Sequence, residues 1–171
     1  MSSQDLSFDR LADRVGEGAA LQVLWMEDAT IGSDSEPARE PHRHDYHELL
    51  WMRCGSGVQL IDGDPVDVAP GAVTLIGRGQ VHTFERGDGL TGAVVRFTDE
   101  LLTGGMGWLL AGRGGRVVPV PESDRPRLEG AIEALGAEAR RPVDERTPQL
   151  QHHLLSVVLL WVERWYDAVR I

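Results

Sequence analysis

The chain has 171 residues, 42% of them hydrophobic and 26% charged, which fits one globular domain with or without a helical appendage and argues against disorder. Twenty-seven acids against seventeen bases give a net charge of -10, the wrong sign for a face that binds DNA or RNA phosphate. Cys54 is the single cysteine, so an internal disulfide framework and a thiolate zinc cluster are excluded. Residues 1–10 are polar and do not read as a signal peptide. The longest apolar run, 154–162, falls far short of the ~20 residues of a membrane span. A soluble cytoplasmic protein is the expectation.

Residues 1–20 read as a polar N-terminal arm with weak helical signals. The apolar run 21–26, with Val and Trp, predicts a first strand, and 32–41 carries loop chemistry with two prolines. From 42 to 97 short apolar segments alternate with turn residues. The segments are 42–52, 58–61, 66–68, 73–76, 81–84 and 92–97, and the breaks hold Gly55-Ser56-Gly57, Asp62-Gly63, Pro70-Gly71, Gly77-Arg78-Gly79 and Gly87-Asp88-Gly89. Short strands at such spacing predict a β-sandwich or barrel. Beyond it, 99–111 reads as a short helix interrupted by Gly104-Gly105, and 116–120 as a last strand. An amphipathic helix is predicted over 122–141, with Asp124 as its N-cap. Pro148 sits where a first-turn proline belongs, and a long terminal helix is predicted over 149–170. The domain expectation is therefore an arm (1–20), a barrel (21–121) and a helical segment (122–171).

One cluster rises above this background: His42-Arg43-His44-Asp45-Tyr46-His47-Glu48. In a strand His42, His44 and Glu48 share parity and point to one face. Two imidazoles and a carboxylate form most of a site for a divalent iron, manganese, nickel or zinc, and His82, in its own short strand, is the candidate fourth ligand. His47 has the opposite parity and is expected to face away from the barrel in a surface or packing role. Cys54 reads as a small buried filler, and His152-His153 as a solvated or interface pair. No nucleophile elbow and no phosphate loop is present in the sequence, so no catalytic residue is assigned.

The spacing His42-x-His44-x3-Glu48-x6-Gly55 resembles the first cupin motif, and Gly71-x5-Gly77-x-Gly79-x2-His82 the second. Glu36, Gly77 and Arg86 depart from the family pattern without removing a ligand position. Including Ile61-Asp62, Gly79-Gln80-Val81-His82, Gly92 and Arg96-Phe97, the chain is similar to the ligand-binding domain of AraC-type transcription regulators, and its two terminal helices look like that family's dimerisation helices. The resemblance implies a mainly β fold, a cupin-like jelly-roll barrel followed by two α-helices. It also implies a small-molecule effector inside the barrel. His42, His44, Glu48, His82 and Phe84 would read that effector, with Leu50, Met52 and Val94 as apolar walls. A divalent metal at the four ligand positions is one state of this site, and a metal-free polar mouth the other. The family's helix-turn-helix domain, through which DNA would be bound, has no counterpart in residues 1–171. The alternative function is a small metal-dependent cupin enzyme, a dioxygenase or isomerase.

The terminal helix carries a homodimer expectation. Leu150, Leu154, Val157, Trp161 and Trp165 form one stripe, and Leu155, Val158, Leu159, Val162 and Val169 extend the apolar surface beyond it. One helix face would meet the barrel, and the other a symmetric copy.

Overall fold

A computed structural model of the chain describes residues 7–35, 37–102, 108–111 and 115–170. In chain order the elements are β1 (Ser7–Asp9), α1 (Leu11–Val15), β2 (Leu21–Ile31), β3 (His42–His44), β4 (His47–Ile61), β5 (Asp64–Asp67), β6 (Ala72–Ile76), β7 (His82–Phe97), β8 (Arg116–Pro119), α2 (Arg125–Arg140) and α3 (Thr147–Val169). The fold is mainly antiparallel β with two helices at the C-terminal end, as the sequence pattern predicts.

Two long strands organise the sheet. β4 and β7 pair antiparallel along their lengths, from His47↔Phe97 to Ile61↔His82. The first half of β4 also pairs with β6, and its second half with β5. β7 likewise takes β2 along its C-terminal half and β3 at His82. Each long strand thus passes from one half of the barrel to the other. The predicted breaks at Gly55–Gly57 and Gly87–Gly89 are therefore not turns but bends inside continuous strands. The two bends face each other, with Ser56↔Asp88 and Gly57↔Gly87 as partners, and the register slips between Met52 and Cys54 and again before Ser56. Gly55 has φ +115, and a Cβ there would lie 2.7 Å from the Gly89 carbonyl oxygen, so only glycine lets the strands fold this sharply. Asp62 and Gly63, both at positive φ, close the β4–β5 hairpin as an Asp-Gly pair should.

Alternation along β4 and β7 gives the molecule two apolar layers. Leu50, Met52, Leu90 and Val94 pack inside the barrel with Val68 and, less deeply buried, Met26, Ala29, Ile31 and Phe84. Leu49, Trp51, Val95 and Phe97 point the other way, onto Leu128, Ile132 and Leu135 of α2 and Leu155, Val158, Leu159, Val162 and Trp165 of α3. Helices on one face and a barrel interior on the other leave His47–Met52 buried at every position.

Several predicted boundaries move. The segment 42–52 is two strands, because the chain bends at Asp45–Tyr46, where the Asp45 carboxylate accepts the Leu11 N–H (3.0 Å) and the Asp45 N–H donates to the Asp9 carbonyl (3.0 Å). The described part of the N-terminal arm is tied down in the same way, with β1 parallel to β3 and Leu11 buried. Asp124 does stand at the N-cap position of α2, but its side chain makes no capping hydrogen bond. A 3-10 turn, Glu122–Asp124, precedes α2, and the Asp124 carboxylate accepts the Trp165 indole N–H at 2.9 Å. Ahead of α3 it is Asp144 that takes the Arg146 and Thr147 N–H groups, at 2.8 and 3.1 Å. The short helix expected over 99–111 is represented by 3-10 turns at Asp99–Leu101 and Trp108–Leu110, and its Gly104-Gly105 interruption lies outside the described residues, as does Glu36. Among the described residues no helix is long and apolar enough to cross a membrane.

Candidate functional site

Three histidines are oriented by one local device. The Nδ1 of His42 donates to the Glu40 carbonyl (3.0 Å), that of His44 to the Tyr46 carbonyl (2.7 Å) and that of His82 to the Gln80 carbonyl (3.1 Å). Each bond places a proton on Nδ1 and turns Nε2 inward, where it is a lone pair in the neutral ring and a second donor in the imidazolium. His42 and His82 are direct partners across β3 and β7, and their rings lie 4.6 Å apart. His44 Nε2 stands 3.1 Å from His82 Nε2 and 3.1 Å from Glu48 Oε1. The bend at Asp45–Tyr46 breaks the strand on which the parity argument rested, yet Glu48 re-enters on β4 facing His44. Tyr46 stacks flat on the His44 ring, 3.8 Å between centroids, and supports it from behind.

The charges of the cluster follow from burial and partners. Burial alone would push the Glu48 carboxyl up. The hydrogen bond to His44, together with the nearby His44 and Arg96 charges, outweighs it and holds Glu48 down at about 2. His82 is pushed down to about 4, chiefly by burial. His42 is lowered for the same first reason. Arg96, whose Nε lies 3.3 Å from Glu48 Oε1, is the direct cross-strand partner of Glu48.

With both Nδ1 atoms committed to carbonyls, the Nε2 atoms of His44 and His82 and a Glu48 oxygen converge, and unless a proton sits on one Nε2 all three are acceptors. Lone pairs at 3.1 Å repel unless a proton or a cation sits among them. The three ligand atoms lie within 4.8 Å of one another. Backbone carbonyls already play the outer part that orients metal-binding imidazoles, so the donor set fits a borderline divalent ion. His42, the fourth expected ligand, is not within that group, although its ring neighbours His82.

A cavity of about 290 Å³ opens beside the cluster. Its apolar wall is Leu24, Met26, Ile31, Pro37, Phe84 and Val94, and its polar groups are Arg39, His42, Glu48, Gln59, His82 and Arg96. Of the three expected wall residues, Val94 lines it, as does the expected reader Phe84, whereas Leu50 and Met52 sit in the apolar layer behind. Sequence reasoning missed Gln59, Arg39 and the alternating Leu24 and Met26 of β2. A signal existed for Gln59: it is a polar residue flanked by Val58 and Leu60. Larger hollows, about 500 Å³ beside residues 16–21, about 660 Å³ at the β4–β5 hairpin and about 310 Å³ beside His47 and Asp99, contain none of the cluster.

The remaining singled-out residues are structural in their contacts. His47 is turned away from the cavity and buried. Its Nδ1 accepts the Arg78 N–H (3.0 Å), so its Nε2 donates to Asp99 (2.5 Å). Cys54 is exposed, not a buried filler, because the slip after Met52 reverses the alternation. His152 donates to the Leu101 carbonyl at 2.8 Å, and His153 is exposed.

Comparison with known proteins finds relatives in sequence and in fold. The HTH-type transcriptional activator RhaS of Escherichia fergusonii is 33% identical over 49 residues, which is 29% of this chain and 18% of RhaS. The crystal structure of an apo form of ToxT from Vibrio cholerae superposes with a TM-score of 0.50 at 11% identity, covering 86% of this chain and 56% of ToxT. The AraC-like transcriptional activator CuxR superposes with a TM-score of 0.46 at 18% identity, over 68% of this chain and 42% of CuxR. The chain thus spans little more than half of ToxT and under a fifth of RhaS. RhaS and CuxR are named as transcriptional activators. The family description "AraC-like ligand binding domain" matches residues 24–156, most of the barrel and both helices up to the middle of α3, and the chain belongs to that family.

Proposed function

We propose that this chain is the effector-sensing and dimerising part of an AraC-type transcription regulator, and that its barrel takes a small organic molecule. The observation that carries this reading is the cavity inside the barrel, walled by apolar side chains and floored by a cluster of placed polar groups, which is the usual construction of a small-molecule site. DNA would be bound through a helix-turn-helix domain outside residues 1–171. The test is a metabolite library screened by thermal shift on wild type and on Val94→Trp, which fills the cavity. At least one compound is expected to raise the Tm of wild type but not that of the variant. Hits that act equally on both would remove the cavity from the account.

A second reading of the same site, with a divalent metal held by His44, Glu48 and His82, is favoured by the three converging acceptors. Elemental analysis of the purified protein should then find close to one divalent ion per chain, most of it lost in His82→Ala. A content near zero after growth in supplemented medium leaves the cluster bridged by a proton alone.

A further inference from the structure

Gln59 differs from the other polar groups of the barrel. It is only 2% exposed, yet its side-chain amide has no hydrogen-bond partner among the described residues, and it lines the cavity. Its orientation follows from register. Gln59 is the direct partner of Phe84 across β4 and β7, and cross-strand partners share a face. Phe84 belongs to the cavity wall, so both side chains look inward. The amide atoms are not among the fully buried unpaired ones, so they open onto the cavity, and a ligand that supplies both a donor and an acceptor would take the place of cavity water there.

The charged groups of the wall are already committed. Arg96 donates to Glu48 (3.3 Å) and to the Gln22 side chain (3.0 Å), and Arg39 is paired with Asp9 (3.0 Å). An anionic ligand would have to compete with these carboxylates for either arginine, and a cationic one would have to displace the hold of Arg96 on Glu48. An uncharged ligand meets neither cost. The free groups it would meet are the Gln59 amide, which donates and accepts, and the lone-pair Nε2 of His42.

We propose that the effector is an uncharged molecule with a carboxamide-like edge, a donor and an acceptor side by side, which pairs with the Gln59 amide while its apolar body lies against Phe84, Met26 and Val94. This rests on the reading of the barrel as an effector pocket. It adds the chemical class of the ligand and the residue that selects it.

The probes are matched aromatic and cyclohexyl fragments, each prepared as the carboxamide, the carboxylate and the aminomethyl compound. They are titrated into isotopically labelled protein and followed at the Phe84 and Val94 amides. Carboxamides are expected to bind about tenfold more tightly than their charged counterparts, and Gln59→Met to remove about that factor. Because the amide is unpaired in the free protein, Gln59→Met should leave the Tm unchanged or raised. A Tm lowered by several degrees would show a structural role and overturn the inference. So would carboxylates that bind as tightly, or a preference that survives Gln59→Met, while shifts at Phe84 and Val94 would leave the pocket reading standing. If no fragment of any class moves those two amides, the pocket reading falls as well.

Discussion

His42, His44 and His82 each give the Nδ1 proton to a carbonyl two residues away, and this local habit builds the cluster. The consequence for pH is specific. In metal-free protein His82 titrates at about 4, below its ordinary value of 6.5, so the folded state keeps it neutral over a range where the unfolded chain takes up a proton. The unfolded state therefore binds more protons between about pH 6.5 and 4, and stability must fall as pH is lowered through that window; below about pH 4.5 the depressed Glu48 carboxyl continues the fall. The His82 part of the loss is about 3 kcal/mol. Denaturant titrations of wild type and His82→Leu after dialysis against chelator check this, because the variant should lack that part of the slope. A wild-type stability that stays level from pH 6.5 to 4 contradicts it. The cluster was legible in the sequence because His42, His44, Glu48 and His82 keep recognisable spacings. For Gln59 the flanking Val58 and Leu60 were the signal, but its side of the sheet was not legible, nor was the exposure of Cys54, because both depend on register slips in β4 that alternation alone does not reveal.

At the scale of elements, glycine has two meanings that composition does not separate. Asp62-Gly63 ends a strand, whereas Gly55–Gly57 and Gly87–Gly89 bend one, and the difference lies in whether a partner strand bends at the same place. The terminal helix shows a similar limit. Its apolar residues exceed one face, as its sequence indicates, but the division between faces differs from the expected stripe. Leu155, Val158, Leu159, Val162 and Trp165 are buried, while Leu150, Val157 and Leu160 face outward with Leu154 and Trp161 half-buried. We propose the outward row as the dimer surface. Val157→Arg with Leu160→Arg should leave the fold intact and halve the mass seen by light scattering. Leu155→Ala, by contrast, opens a cavity in the core and should cost about 2–5 kcal/mol without selectively affecting association. A monomeric wild type at micromolar concentration would end the dimer proposal.

For the molecule as a whole, the sheet separates two tasks. Its inner face encloses the cluster and cavity, and its outer face carries α2 and α3. His47 and Glu48 are neighbours on β4 that point to opposite sides, one to Asp99 beneath the helices and one into the barrel. A small molecule bound inside would therefore press on the same strand that supports the outward-facing helix. Everything rests on the cavity being the place where that molecule sits. Calorimetric titration of wild type and Val94→Trp with a compound that raises the wild-type Tm tests this most directly. One site per chain in wild type, and binding weakened at least about a hundredfold in a variant that remains folded, is the predicted result. Equal affinity in the two proteins would contradict it.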